Sequence, residues 1–216
     1  MDIQILFNII NHTSSLSVAI PLTCCILKIK ALNSELRVLF AYIIVSVATE
    51  ITSFIFIRNN IHTYLVNHLF TISECTFITL IYFYRYETKG IRANIVIFYV
   101  LFLALSFVIL ILKDGYDGPD NVLSTYEATF FIILSGSYVY KIMKEVKITK
   151  LKEFYFYWIN SAILLYFSMA FFLFLFNIYI AKRGLKTYNN LYTLHWIINV
   201  AYNVLLAKGI CKVNRK

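Results

Sequence analysis

The chain has 216 residues, of which 60% are hydrophobic and 14% charged, and its formal net charge is +9. A water-soluble domain carries roughly a quarter charged residues, so this composition excludes one of such size. The basic excess raises the question of nucleic acid, but dense phosphate contacts need a broad basic face. Here the basic residues are shared out among short connections, and no nucleic-acid partner is expected.

A helix needs about 20 mostly apolar residues to cross a hydrocarbon core of roughly 30 Å. Stretches of that kind occur in chain order at about 8–28, 37–57, 64–84, 93–112, 124–144, 156–179 and 188–208. A membrane barrel would instead show segments of about ten residues alternating in and out, which continuous runs such as Ile95 to Leu112 do not. The expected fold is therefore all-α: a polytopic membrane bundle of seven transmembrane helices forming a single domain over 1–216. Connections this short make consecutive helices antiparallel neighbours.

The first span has no basic segment before it and no small-residue cleavage site after it, so it is read as an anchor that stays attached. Pro21 lies inside it and removes a backbone donor, which predicts a kink. Asn11-His12-Thr13 matches the glycosylation sequon by three residues only.

Lys28, Lys30 and Arg37 flank the first connection, and Arg85, Lys89 and Arg92 the third. Lys141, Lys144, Lys147, Lys150 and Lys152 serve the fifth, and Lys208, Lys212, Arg215 and Lys216 close the chain. The opposite side receives Arg58, Lys113, Lys182, Arg183 and Lys186, with Asp2, Asp114, Asp117 and Asp120. By the positive-inside rule the N-terminus is outside and the C-terminus cytoplasmic. The basic clusters then meet anionic lipid at the cytoplasmic face, which makes membrane lipid the expected partner. Cys24, Cys25, Cys75 and Cys211 fall within spans or on that same side, where no oxidising compartment pairs them.

Ionisable side chains are costly in hydrocarbon and turn toward a bundle interior, where they are usually functional. Glu50, Glu74, Glu127, His68 and His195 are the informative ones; His12 sits too near the outer edge of its span to join them. At 1.5 Å per residue, Glu50 lies about 10 Å from the outer edge, Glu74 about 15 Å, His68 about 6 Å and His195 about 10 Å. Glu127 falls within about one turn of the outer end of its helix, where solvation near the headgroups is an alternative to burial. A common depth for residues from four spans points to an outward-facing polar cavity.

Helical spacing adds detail. His195, Asn199, Tyr202 and Asn203 share one side of the seventh span. Ser46, Thr49, Glu50 and Ser53 make a similar stripe on the second, and Asn67, Thr71, Glu74, Cys75 and Ile78 on the third. His68 is turned about 120° from Glu74, toward a different neighbour. The sixth span offers Tyr157, Asn160, Ser161 and Ser168. The expected ligand-binding set is Glu50, His68, Glu74, Glu127, His195, Asn199 and Asn203, with Glu50, Glu74 and His195 facing one cavity. Asn199 would sit at its floor and His68 on its wall. Such stripes also serve as interhelical glue, which is the competing reading of Asn199 and Asn203.

The segment Asn67-His68-Leu69-Phe70-Thr71-Ile72-Ser73-Glu74, with Tyr82-Phe83-Tyr84 after it, resembles the third helix of an uncharacterised family of small seven-helix membrane proteins of Bacteroidota. Trp196-Ile197-Ile198-Asn199, through Tyr202-Asn203 to Gly209, resembles the seventh helix of that family. The resemblance implies a bacterial inner membrane and draws attention to His68, Glu74, Asn199 and Asn203, but brings no activity with it. An alkaline-ceramidase-like hydrolase needs several histidines and an aspartate for zinc, whereas the spans here hold no Asp and no HxxxH or HExxH pair. A retinal protein needs a lysine in mid-helix 7, but Lys208 stands at its end. Sugar-efflux proteins have prolines in matching helices, and Pro21 has no counterpart in the fifth span.

The leading expectation is thus a multi-pass cell-membrane protein that binds or translocates a small polar molecule, an ion or a proton. No cofactor or metal is expected, and the residues name no protein partner. A membrane-embedded hydrolase or lipid-modifying enzyme, and a signalling or defence-associated interaction protein, are the alternatives.

Overall fold

The computed structural model describes residues 3–112, 121–145, 151–182 and 185–213. The expected loop residues Asp2, Lys113, Asp114, Asp117, Asp120, Lys147, Lys150, Arg183, Arg215 and Lys216 lie outside them, as do the side chains of Lys152, Lys182 and Lys186. The described chain is helical: α1 (Ile3–Ser17), α2 (Ala19–Leu27), α3 (Ser34–Arg58), α4 (Tyr64–Arg85), α5 (Lys89–Leu112), α6 (Asn121–Glu145), α7 (Tyr155–Lys182) and α8 (Leu185–Cys211). Short 3-10 turns occupy Ile29–Ala31 and Leu151–Glu153. With α1 and α2 counted as one span, seven of these stretches are long and apolar enough to cross a membrane.

Near the expected kink the helix is interrupted at Val18, between α1 and α2, while Val18 itself keeps helical dihedrals, φ −61° and ψ −21°. Pro21 has no N–H to offer the Ser17 carbonyl, and the next bond, from Leu22 N to Val18 O, is stretched to 3.3 Å. Elsewhere the helix ends follow local chemistry. Asn33 caps α3 by accepting from Leu36 N at 3.0 Å. That helix stops where Asn60 takes φ 56°, with Asn60 N bonding Ile57 O and Ile61 N bonding Phe56 O. This is the left-handed closure in which Asn can replace Gly.

The chain packs as two compact units. One is Leu32–Glu127, the other Met1–Ala31 with Ala128–Lys216. In the first, α4 packs against both α3 and α5. At one end Glu35 pairs with Arg85 at 3.7 Å. Beside it Arg92 bonds the Phe83 and Tyr86 carbonyls, which the end of α4 leaves open, and lies over the Phe83 ring. In the second unit α8 packs against α7, α1 and α2. Gly209 permits the close approach to α7: a Cβ there would stand 2.8 Å from Ile159 Cγ1 and 2.9 Å from the Tyr155 carbonyl. Phe131 against Phe167 and Tyr138 against Phe156 join α6 to α7.

Large apolar side chains are exposed along the helices, including Ile97, Val100, Leu101, Phe107, Ile111 and Leu112 on α5 alone. In water that surface would aggregate. Against lipid it is the expected exterior, because the hydrocarbon requires only that the backbone satisfy itself, as helices do.

Candidate functional site

In the Leu32–Glu127 unit, Tyr42 on α3 donates its hydroxyl to Glu74 Oε1 on α4 at 2.6 Å. Both groups are buried. Phe70 and Phe77 precede and follow Glu74 by four and three residues, so all three share one face of α4. Each ring lies 6.4 Å from that of Tyr42, which fixes the direction of the phenol.

Glu127 on α6 is the second buried acid. It is 3% exposed, its Oε1 has no hydrogen-bond partner among the described residues, and it interacts electrostatically with Glu74. The alternative of solvation near the headgroups therefore fails. Helix α6 begins at Asn121 rather than near 124, which sets Glu127 nearly two turns inside it, about 9 Å from the first residue. Cys75, fully buried beside Glu74 in sequence, feels both carboxyls, and Tyr126 is the other titratable neighbour of this group. Neither acid has a basic partner among the described residues.

His68 turns to a different neighbour, as its angular offset predicts. Its Nε2 lies 3.0 Å from Ser106 Oγ on α5, and both residues are buried. Glu50 is exposed on α3. It stands eight residues beyond Tyr42, roughly 12 Å along the helix and 80° around it, so the face of α3 that meets Glu74 is not the one bearing Glu50.

The remaining candidates belong to the other unit. Asn199 Nδ2 donates to Ser14 Oγ at 3.0 Å, and Asn203 Nδ2 to Ser17 Oγ at 2.7 Å. Both amides thus link α8 to α1. His195 sits among aromatic rings, with centroids 5.5 Å from Tyr166, 6.4 Å from Phe174 and 6.5 Å from Tyr192. Its Nδ1 is shielded from solvent and has no hydrogen-bond partner among the described residues.

Sequence reasoning missed Tyr42, Ser106, Ser14 and Ser17. Tyr42 extends the Ser46, Thr49 and Ser53 side of the stripe on α3 by one turn, and Ser106 is the one hydroxyl in the run from Ile95 to Leu112 apart from Tyr99; both signals were present. Among the described residues no group of three or more His, Cys, Asp or Glu is placed to hold a metal ion.

These features define a class, a polytopic α-helical membrane protein with buried acids in one of its two units. No protein-family model, curated protein or solved structure matches the chain.

Proposed function

We propose that this protein binds, and passes across a bacterial inner membrane, a small cationic species, the proton included, and that Glu74 and Glu127 receive it. The observation that carries this reading is the pair itself: two buried acids in mutual electrostatic range, with no basic residue among the described ones to neutralise either. Carboxyls buried in hydrocarbon without a counter-ion are costly, and residues of this kind mark ion and proton pathways. Tyr42 orients one carboxyl, while the unbonded Oε1 of Glu127 is the free ligand atom. With the N-terminus outside and the C-terminus cytoplasmic, as the lysine bias favours, the N-terminal ends of α4 and α6 face outward. Glu127 is then the nearer acid to the outer surface and the first to meet an entering cation.

Infrared difference spectroscopy on the protein in lipid bilayers tests this, stepping H⁺, Na⁺, K⁺ and methylammonium one at a time. The expected result is a carboxyl band that responds to one of these and is lost in Glu74→Gln and Glu127→Gln. A carboxyl spectrum indifferent to all four would overturn the proposal.

A hydrolase is the second reading, and one contact favours it. Ser106 Oγ and His68 Nε2 stand at nucleophile-to-base distance. Covalent labelling of Ser106 by a fluorophosphonate, lost in His68→Ala, would favour this reading over cation binding. Unlabelled Ser106 leaves the pair as a structural link between α4 and α5.

A further inference from the structure

Four polar contacts join the first span to α8 and the residues after it. They pair Ser14 with Asn199, Ser17 with Asn203, Cys24 with Cys211 and Lys28 with the Val213 carbonyl, at sequence separations of 185, 186, 187 and 185. A separation that stays nearly constant while both partners advance is the signature of two parallel helices in fixed register. An antiparallel pair would hold the sum constant instead. On α8, Asn199 and Asn203 stand one turn apart and bond Ser14 and Ser17 of α1, so one face of α8 carries both contacts.

The third rung consists of two thiols. Cys211 donates to Cys24 Sγ at 3.0 Å, about 1 Å longer than a disulfide bond. Cys211 is exposed and Cys24 half-buried, whereas Cys25 is completely buried and points about 100° away around α2. Two thiolates sharing one tetrahedral zinc would stand about 3.8 Å apart, given Zn–S bonds of about 2.3 Å. Among the described residues no further His, Cys, Asp or Glu joins the pair as a metal site would require, and the 3.0 Å approach suits a sulfur–sulfur bond.

We infer that Cys24 and Cys211 form a site of reversible oxidation by peroxides, which fastens the first span covalently to the last. The accessible Cys211 sulfur attacks the peroxide, the O–O bond breaks, and the products are a sulfenic acid and one water. The Cys24 sulfur then attacks Cys211 Sγ, and the S–O bond breaks. The hydroxide that leaves takes up the Cys24 proton as a second water. Two thiols are oxidised by two electrons in all, and one hydrogen peroxide is reduced to two waters. Because the seam already holds the register on either side of the thiols, the bond needs little helix movement. On the orientation proposed above the rung lies at the cytoplasmic face, where the thiol pool reopens it.

The test uses the full chain in lipid nanodiscs, reduced, exposed to hydrogen peroxide and then alkylated with a maleimide. Peptide mapping should find Cys24 linked to Cys211 in the wild type and in Cys25→Ala and Cys75→Ala. The link should be absent from Cys24→Ser and Cys211→Ser, and a dithiol reductant should restore alkylation of both sulfurs. Should either alanine variant fail to fold, the wild-type map decides alone. The inference is overturned by a Cys25–Cys211 link, by a Cys211–Cys211 link between two chains, or by Cys211 carried to sulfinic acid with Cys24 still alkylated.

Discussion

Glu127 holds a carboxyl oxygen that nothing among the described residues meets, in a setting where an unmet acceptor costs about 1–3 kcal/mol. If that cost is borne for a ligand, removing the carboxyl relieves it. Glu127→Met, similar in length and apolar, should therefore raise the unfolding temperature in detergent, while the infrared response of the carboxyls falls away. A lower unfolding temperature would show that the carboxyl holds helices instead. Tyr42 is the opposite case, since its hydroxyl satisfies Glu74. Tyr42→Phe strands a buried acceptor, so its cost should exceed the roughly 0.6 kcal/mol average of a polar contact between membrane helices and approach about 1–2 kcal/mol. Equilibrium unfolding in mixed micelles measures the difference, and Glu74→Leu in the same background should cancel most of it. The acids themselves were legible in the sequence, because a glutamate inside an apolar run has few explanations. Their partners were less so: which hydroxyl meets which acid depends on how helices rotate against each other, and no single span records that rotation.

At the scale of elements, the seven spans were readable because length and apolarity are what lipid demands of a helix, and α5 from Lys89 to Leu112 leaves no ambiguity. The fifth span was read from about 124, whereas α6 begins at Asn121, which sets Glu127 deeper in its helix and buried. Asn199 and Asn203 were visible as a stripe, but the serines they bond lie some 185 residues earlier, on a span whose hydroxyls had not stood out. Two glycines separate packing from propensity. Gly209→Ala drives a Cβ against the Tyr155 carbonyl and Ile159 on α7, and should cost about 1–3 kcal/mol. Gly136→Ala on α6 meets nothing within 4 Å and should stabilise by up to about 1 kcal/mol through helix propensity. Thermal unfolding of the two variants in parallel checks both signs.

For the whole molecule, the expected orientation places 145–155 and the C-terminus in the cytoplasm and 114–120 outside, since lysine and arginine bias over short loops sets topology. Cysteines introduced in turn at 117, 148 and 215 of a background lacking the four native ones should be labelled by a membrane-impermeant maleimide from outside only at 117. Labelling at 148 in intact cells would reverse the assignment. The register between the first span and α8 also bears on how the protein is made. The amides that bond Ser14 and Ser17 follow them in the chain by 185 and 186 residues. At roughly 5–20 residues per second the ribosome needs on the order of 10–40 s to deliver them. Throughout that interval α1 waits without α8, and Ser17 keeps its hydroxyl hydrogen-bonded within its own helix, to the Ser14 carbonyl at 2.6 Å. A nascent chain released before Asn199 would lack both amides and leave α1 without the register that α8 gives it.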